Sequence, residues 1–163
     1  MSPGERGAPE ATEGPAELYF AYGSNMRSAR LMERVPSAAS VGAARLENHC
    51  LRINKRGRDG TAKANLALSQ GEHVWGVIYR IDPAHWPDLD RFEGGYVRTS
   101  VEVALGGASA EAVTYRSERL IEGALAFEWY LEHLRVGARE HALPAEWCAH
   151  LDALRGQRSP AGH

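Results

Sequence analysis

Two short stretches of this 163-residue chain bring together residue types from which chemistry can be built. The first is Tyr22-Gly23-Ser24-Asn25, set between an apolar run and an amphipathic one. Glycine lets the backbone take an unusual conformation and lets a ligand come close. The peptide N–H groups that follow would open a helix, where unsatisfied donors and the dipole favour negative charge. Such a turn can hold a carboxylate or a developing oxyanion. An ordinary capped turn has the same four residues. The second stretch is Asp90-Arg91-Phe92-Glu93-Gly94-Gly95. Glu93 is expected at the end of a short helix, where the dipole disfavours its charge and tends to raise its pKa. A carboxyl so raised suits a general base working on an amine. A solvated glutamate ahead of a glycine cap would look identical in sequence.

Other chemistries find less support. The seven histidines are scattered, and none forms an i, i+4 helical pair with a third ligand nearby, so no metal site is expected. Neither Walker A nor G-x-G-x-x-G occurs. The basic cluster Arg52, Lys55, Arg56 and Arg58 reads as a solvated loop that could touch an anion. Cys50, in an apolar strand, and Cys148, on an amphipathic helix, read as buried or half-buried residues rather than nucleophiles.

Both candidate motifs need elements to position them. Leu18-Tyr19-Phe20-Ala21 reads as a buried strand entering the Gly23 turn. Met26 to Val35 fits one helical face closed by Pro36, with Ser24 or Asn25 as a natural N-cap. Val41 to Ile53 suits a long or broken strand, Lys55 to Gly60 a charged loop, and Ala64 to Leu68 and Val74 to Ile81 two further strands. Asp82-Pro83 caps a helix that runs to about Phe92 and ends at Gly94-Gly95. Tyr96 to Leu105 alternates, turns at Gly106-Gly107 and returns as Ala110 to Tyr115, a hairpin. Two helices follow, over 127–140 and 144–154. Strands dominate the middle without strict strand–helix alternation, which predicts an α+β (mixed α/β) fold.

The chain has the length of one domain able to bury about two-thirds of its unfolded surface. Residues 1–16 and 156–163 carry little to bury and read as mobile tails around a single domain over 17–155. With 44% hydrophobic and 25% charged residues the composition is that of a soluble globular protein. No run approaches the roughly 18 to 20 apolar residues of a membrane span, and no signal-peptide pattern occurs. A net charge of −2 argues against nucleic acid as a partner. Two cysteines far apart make no disulfide framework, so a cytoplasmic location with reduced thiols is expected.

At the two motifs the chain resembles the γ-glutamylcyclotransferase family. Leu18 through Met26 is similar to the family's opening strand and substrate loop. Pro36-Ser37-Ala38-Ala39 and Ala44-Arg45-Leu46 follow in order. Val74-Trp75-Gly76-Val77-Ile78-Tyr79 resembles its central strand, and Leu89-Asp90-Arg91-Phe92-Glu93-Gly94 the segment with its catalytic glutamate. Gly137-Ala138-Arg139-Glu140 through Leu143-Pro144 is similar to the link between its terminal helices.

The resemblance implies a small mixed β-barrel flanked by helices, with the active site in a cavity at one end. It implies conversion of a γ-glutamyl amino acid or amide into 5-oxoproline and a free amine, with no cofactor or metal. Glu93 would be the general acid and base. Tyr19, Tyr22, Gly23, Ser24 and Asn25 would form the substrate loop, joined near the pocket by Tyr115 and Tyr130. It is compatible with a homodimer, to which Trp129, Trp147 and Cys148 would supply apolar contact. The chain departs from the family in a short passage from Gly94 through Tyr96 and a short, basic segment over 54–65. Both bear on the choice of leaving group. Only Lys55 and Lys63 are lysines among nineteen basic residues, which is consistent with GC-rich bacterial coding. A tailoring enzyme that removes a γ-glutamyl protecting group by the same cyclisation is an alternative. A non-catalytic carboxylate-binding module is another, disfavoured by the presence of Glu93.

Overall fold

Five residues with an apolar centre, Glu17–Ala21, form β1, whose last three side chains are buried. The chain then makes a single 3₁₀ turn at Ser24–Met26 before α1 (Ser28–Arg34). The helix therefore starts two residues later than its periodicity predicts, and neither Ser24 nor Asn25 caps it. Residues 17–160 are described in this computed structural model. The stretches 1–16 and 161–163, read from the sequence as parts of tails, lie outside the described residues.

β2 (Ala39–Arg56) and β3 (Ala62–Ile81) pair antiparallel along nearly their whole length. The two separate strands expected over 64–68 and 74–81 are thus one strand. Its polar interruption at 69–72 is absorbed by a bulge: Asn48 adopts φ 61° and Gly71 φ 86°, and the Asn48 side-chain oxygen accepts the Gly71 N–H at 3.0 Å. Asn48 alone on β2 faces residues 69–72 of β3, the register passing from Glu47↔His73 to His49↔Leu68, and the ladder continues on either side.

Asp82 accepts the Ala84 N–H at 3.0 Å, capping a 3₁₀ turn that leads into α2 (Trp86–Phe92). β4 (Val97–Leu105) and β5 (Ala108–Arg116) are joined by Gly106 and Gly107, both at positive φ. Two adjacent positive φ values match the right-handed twist of a hairpin and are tolerated best by glycine. The order β1-β3-β2-β4-β5 closes on itself through a parallel contact of Tyr19 with Val113, all other pairings being antiparallel. Closure is narrow, since β2 and β4 meet only at Ala44↔Leu105 and Arg45↔Ala104. The fold is a small mixed β-barrel with helices against it.

α3 (Glu128–Glu140) buries Tyr130, Leu131, Leu134, Gly137 and Ala138, a spacing that gives one helical face. α4 (Ala145–Asp152) adds Trp147 and Leu151 to the same core. Trp147, one of the apolar side chains suggested for a dimer contact, is only 8% exposed within its own chain. The C-terminal stretch read as a tail begins at residue 156, and its described part is tied to the start of α3. The Gln157 N–H donates to Ala126 O and the Glu128 N–H to Gln157 O, each at 2.8 Å. No helix among the described residues is long and apolar enough to cross a membrane.

Candidate active site

The turn after β1 is held from beneath. Gly137 of α3 lies so close that a Cβ there would sit 2.6 Å from the Arg27 nitrogen and the Met26 carbonyl carbon. Only hydrogen fits between the two backbones. Tyr79 of β3 donates its hydroxyl hydrogen to Met26 O at 2.8 Å, and its oxygen lies 3.0 Å from both Ser28 Oγ and His141 Nε2. With its underside fixed, the turn presents Gly23, Ser24 and Asn25 to a cavity of about 340 Å³. The first hydrogen bond inside the turn runs from Met26 N to Gly23 O at 3.0 Å, so the N–H groups of Ser24 and Asn25 precede it.

Asn25 is turned towards chemistry rather than capping. Its Nδ2 donates to the Tyr19 hydroxyl oxygen at 3.0 Å and to Glu93 Oε2 at 3.3 Å. Ser24 Oγ instead accepts from Arg30 Nε at 3.0 Å. This is why the capping expectation fails: Arg30 holds the Ser24 side chain, and Tyr19 and Glu93 hold that of Asn25.

Glu93 arrives from the other side. It is the residue that ends α2, its N–H bonded to Leu89 O and Asp90 O at 3.1 Å, while Trp86 and Leu89 anchor the helix in the core. Its side chain is 13% exposed and Arg34 Nη1 lies 3.4 Å from Oε2. The same guanidinium nitrogen donates to Asn25 Oδ1 at 3.2 Å. Burial pushes the Glu93 carboxyl above the usual range, against the opposing pull of Arg34, Asn25, Lys55 and Arg30. Loss of water is the largest of these influences. A carboxyl raised in this way is a stronger proton acceptor when ionised than an exposed glutamate.

The tyrosines divide by what their hydroxyls do. Tyr130 accepts the Ala64 N–H at 2.9 Å, and burial pushes it up to about 12. Tyr22 donates to Tyr115 O at 2.7 Å and Tyr115 to Asp90 at 2.6 Å, so these two brace the wall. A Cβ on Gly23 would stand 3.1 Å from the Ala64 Cβ and 3.7 Å from the Tyr130 hydroxyl. A larger residue there would therefore crowd the wall as well as the cavity.

Comparison with known proteins agrees with this architecture. The AIG2-like family model matches residues 73–151. The γ-glutamylcyclotransferase of Mus musculus is 32% identical over 153 residues, spanning 87% of this chain and 80% of that protein. The γ-glutamylcyclotransferase of Homo sapiens is 33% identical over 153 residues, spanning 86% and 81%. The chain belongs to the γ-glutamylcyclotransferase family. A solved γ-glutamyl cyclotransferase superposes with a TM-score of 0.81 at 30% identity, covering 90% of this chain and 95% of that one.

In this γ-glutamylcyclotransferase-family chain, all eight residues singled out from sequence line the one cavity: Glu93, the Tyr19, Tyr22 to Asn25 loop, Tyr115 and Tyr130. Sequence reasoning missed Arg30, Arg34, Lys63 and Tyr96, which also line it. Arg30 and Arg34 stand four apart on α1, a spacing that puts both on one face and that was open to reading. The sequence places Lys55 in a solvated loop, yet β2 continues through it and it is 6% exposed. Its Nζ donates to Gly94 O at 2.6 Å and lies 4.7 Å from the centre of the Tyr96 ring. A lysine stem that buries along a strand while its head reaches a polar pocket resembles a loop lysine in sequence.

Proposed function

We propose that this protein is a cytoplasmic γ-glutamylcyclotransferase that converts γ-glutamyl amino acids or related γ-glutamyl amides into 5-oxoproline and the free amine. Its relatives of that name, similar over most of their length, support the activity. The observation that carries the mechanism is the Glu93 carboxyl, buried inside the cavity opposite the Gly23 turn. Cys50 and Cys148 are both free, which suits a reducing compartment.

The substrate supplies its own nucleophile. Its glutamyl α-carboxylate docks at the Ser24–Asn25 end of the turn, beside Arg30. This folds the chain so that the α-nitrogen faces the γ-carbonyl, and holding that shape removes much of the entropic barrier. Glu93 takes a proton from the α-ammonium, and the freed amine attacks the γ-carbon. The new C–N bond closes the five-membered lactam. As the old amide C–N bond breaks, Glu93 returns the proton to the leaving nitrogen. The two protons lost by the α-nitrogen are the two gained by the product amine, so no outside reactant is needed. Arg34 and Asn25 hold the carboxyl in place throughout.

A small panel of γ-glutamyl dipeptides and amines, assayed for 5-oxoproline, tests this reading. Wild-type protein is expected to release product, and folded Glu93→Gln to lose at least about a hundredfold in kcat. Turnover retained in that variant would move the base elsewhere, and no product from any substrate would favour a carboxylate-binding module.

A further inference from the structure

The cavity carries more positive charge than the reaction on a simple γ-glutamyl amide requires. Six cations line it, Arg30, Arg34, Lys55, Arg58, Lys63 and Arg91, against two carboxylates, Asp59 and Glu93. Three of the six have acidic partners: Arg34 with Glu93, Lys63 with Asp59, and Arg91 with Asp88. Asp59 is committed further, its Oδ1 accepting both the N–H and the hydroxyl of Thr61. Among the described residues Arg30, Lys55 and Arg58 are in no ion pair with a carboxylate.

These three fall at two ends of the site. Arg30 is bonded to Ser24 at the turn, where one carboxylate, that of the glutamyl moiety, suffices. Lys55 and Arg58 flank the two glycines that follow Glu93. The Lys55 ammonium donates to Gly94 O, which uses one of its three donors. An Arg58 terminal nitrogen lies 3.1 Å from where a Cβ on Gly94 would stand. Gly94 and Gly95 thus leave room for both cations beside the reacting carboxyl. The buried Lys55 ammonium has no carboxylate within ion-pair distance, Glu93 acting on it only from farther off, and burial lowers its pKa. An incoming anion would offset the cost of that burial.

We propose that Lys55 and Arg58 form a subsite for the two carboxylates of an acidic leaving amino acid, its α-carboxylate and its side-chain carboxylate, so that the preferred substrates are γ-glutamyl derivatives of acidic amino acids. The proposal rests on the cyclotransferase reading above and names its substrate class. γ-Glutamyl-glutamate and γ-glutamyl-glutamine test it, being nearly isosteric and differing by one charge on the leaving group. The expected ratio of kcat/KM, acidic over amide, is at least about tenfold in the wild-type protein. It should fall as ionic strength rises, because the rim is open to salt. In Arg58→Gln, at an exposed position, and separately in Lys55→Met, the ratio should drop towards one, with the fold checked by thermal melting. A wild-type ratio near or below one, with the amide substrate still giving 5-oxoproline, overturns the subsite and leaves the cyclotransferase reading standing. A high ratio unchanged in both variants overturns the assignment to these two residues. Absence of 5-oxoproline from every γ-glutamyl substrate overturns both readings together.

Discussion

Replacing Arg34 by methionine isolates the electrostatic hold on Glu93. Nη1 lies 3.4 Å from Glu93 Oε2 and 3.2 Å from Asn25 Oδ1, with the two charged side chains 16% and 13% exposed. Unit charges about 4 Å apart interact by roughly 4 kcal/mol at an effective dielectric near 20. Water in the open cavity, together with Lys55 and Arg30, which also pull the carboxyl down, leaves on the order of 1–2 kcal/mol specific to Arg34. In the absence of Arg34 the charged carboxyl is still favoured by Asn25, Lys55 and Arg30, but the balance moves towards its protonated form. The sign follows. Removing a cation raises the carboxyl's pKa, and the base must be ionised to start the reaction. The acid limb of kcat/KM against pH should therefore move to higher pH by about one pH unit. The fold should survive, because the methionine stem can still cover the Phe92 ring, over which the Arg34 guanidinium now lies at 4.9 Å. Arg34→Lys, which keeps the charge, should leave the limb near its wild-type position. A folded Arg34→Met protein with an unshifted acid limb would refute the reasoning.

Two further outcomes are expected. Gly137→Ala would put a methyl within 2.6 Å of the Met26–Arg27 backbone, so α3 must withdraw or the turn must move. Overpacking of this kind costs about 1–3 kcal/mol, or about 2–4 °C of Tm for each kcal/mol in a chain of this size. Both Tm and kcat/KM should fall, and an unchanged melt would show that the two backbones are not pressed together. Burial holds the Glu93 carboxyl above its unfolded value. Its contribution to stability is therefore full below the unfolded pKa and lost as pH rises through the folded one. Glu93→Gln should melt no lower than the wild-type protein at neutral pH, and its relative advantage should shrink on acidification. A Gln variant that melts well below wild type at neutral pH would contradict that sign.

Much of this molecule was readable without coordinates because local rules and tertiary packing agree. The hairpin at Gly106-Gly107, the Asp82 cap and the apolar face of α3 each follow from turn chemistry or periodicity. Where the reading missed, a long-range partner had taken over. Asn48 and Gly71 lie 23 residues apart, and their pairing turns an apparent strand break into a bulge. Ser24 and Asn25 have the composition of caps, but Arg30, Tyr19 and Glu93 claim their side chains. Lys55 reads as a loop lysine because its spacing along the chain does not say that β2 runs on and buries it.

The order of residues by itself determined most of the elements, that a glycine turn would precede a helix, and that an acidic residue would end another. These depend on interactions within a few residues, which the linear sequence contains. Only the folded chain decided that Glu93 and Asn25, 68 residues apart, would meet within hydrogen-bonding distance. It likewise decided that burial would raise the pKa of Glu93, and that Lys55 and Arg58 would stand beside Gly94 with no carboxylate in ion-pair distance among the described residues. Such properties depend on distance and dielectric in three dimensions, which barrel closure and the packing of α2 and α3 against it create.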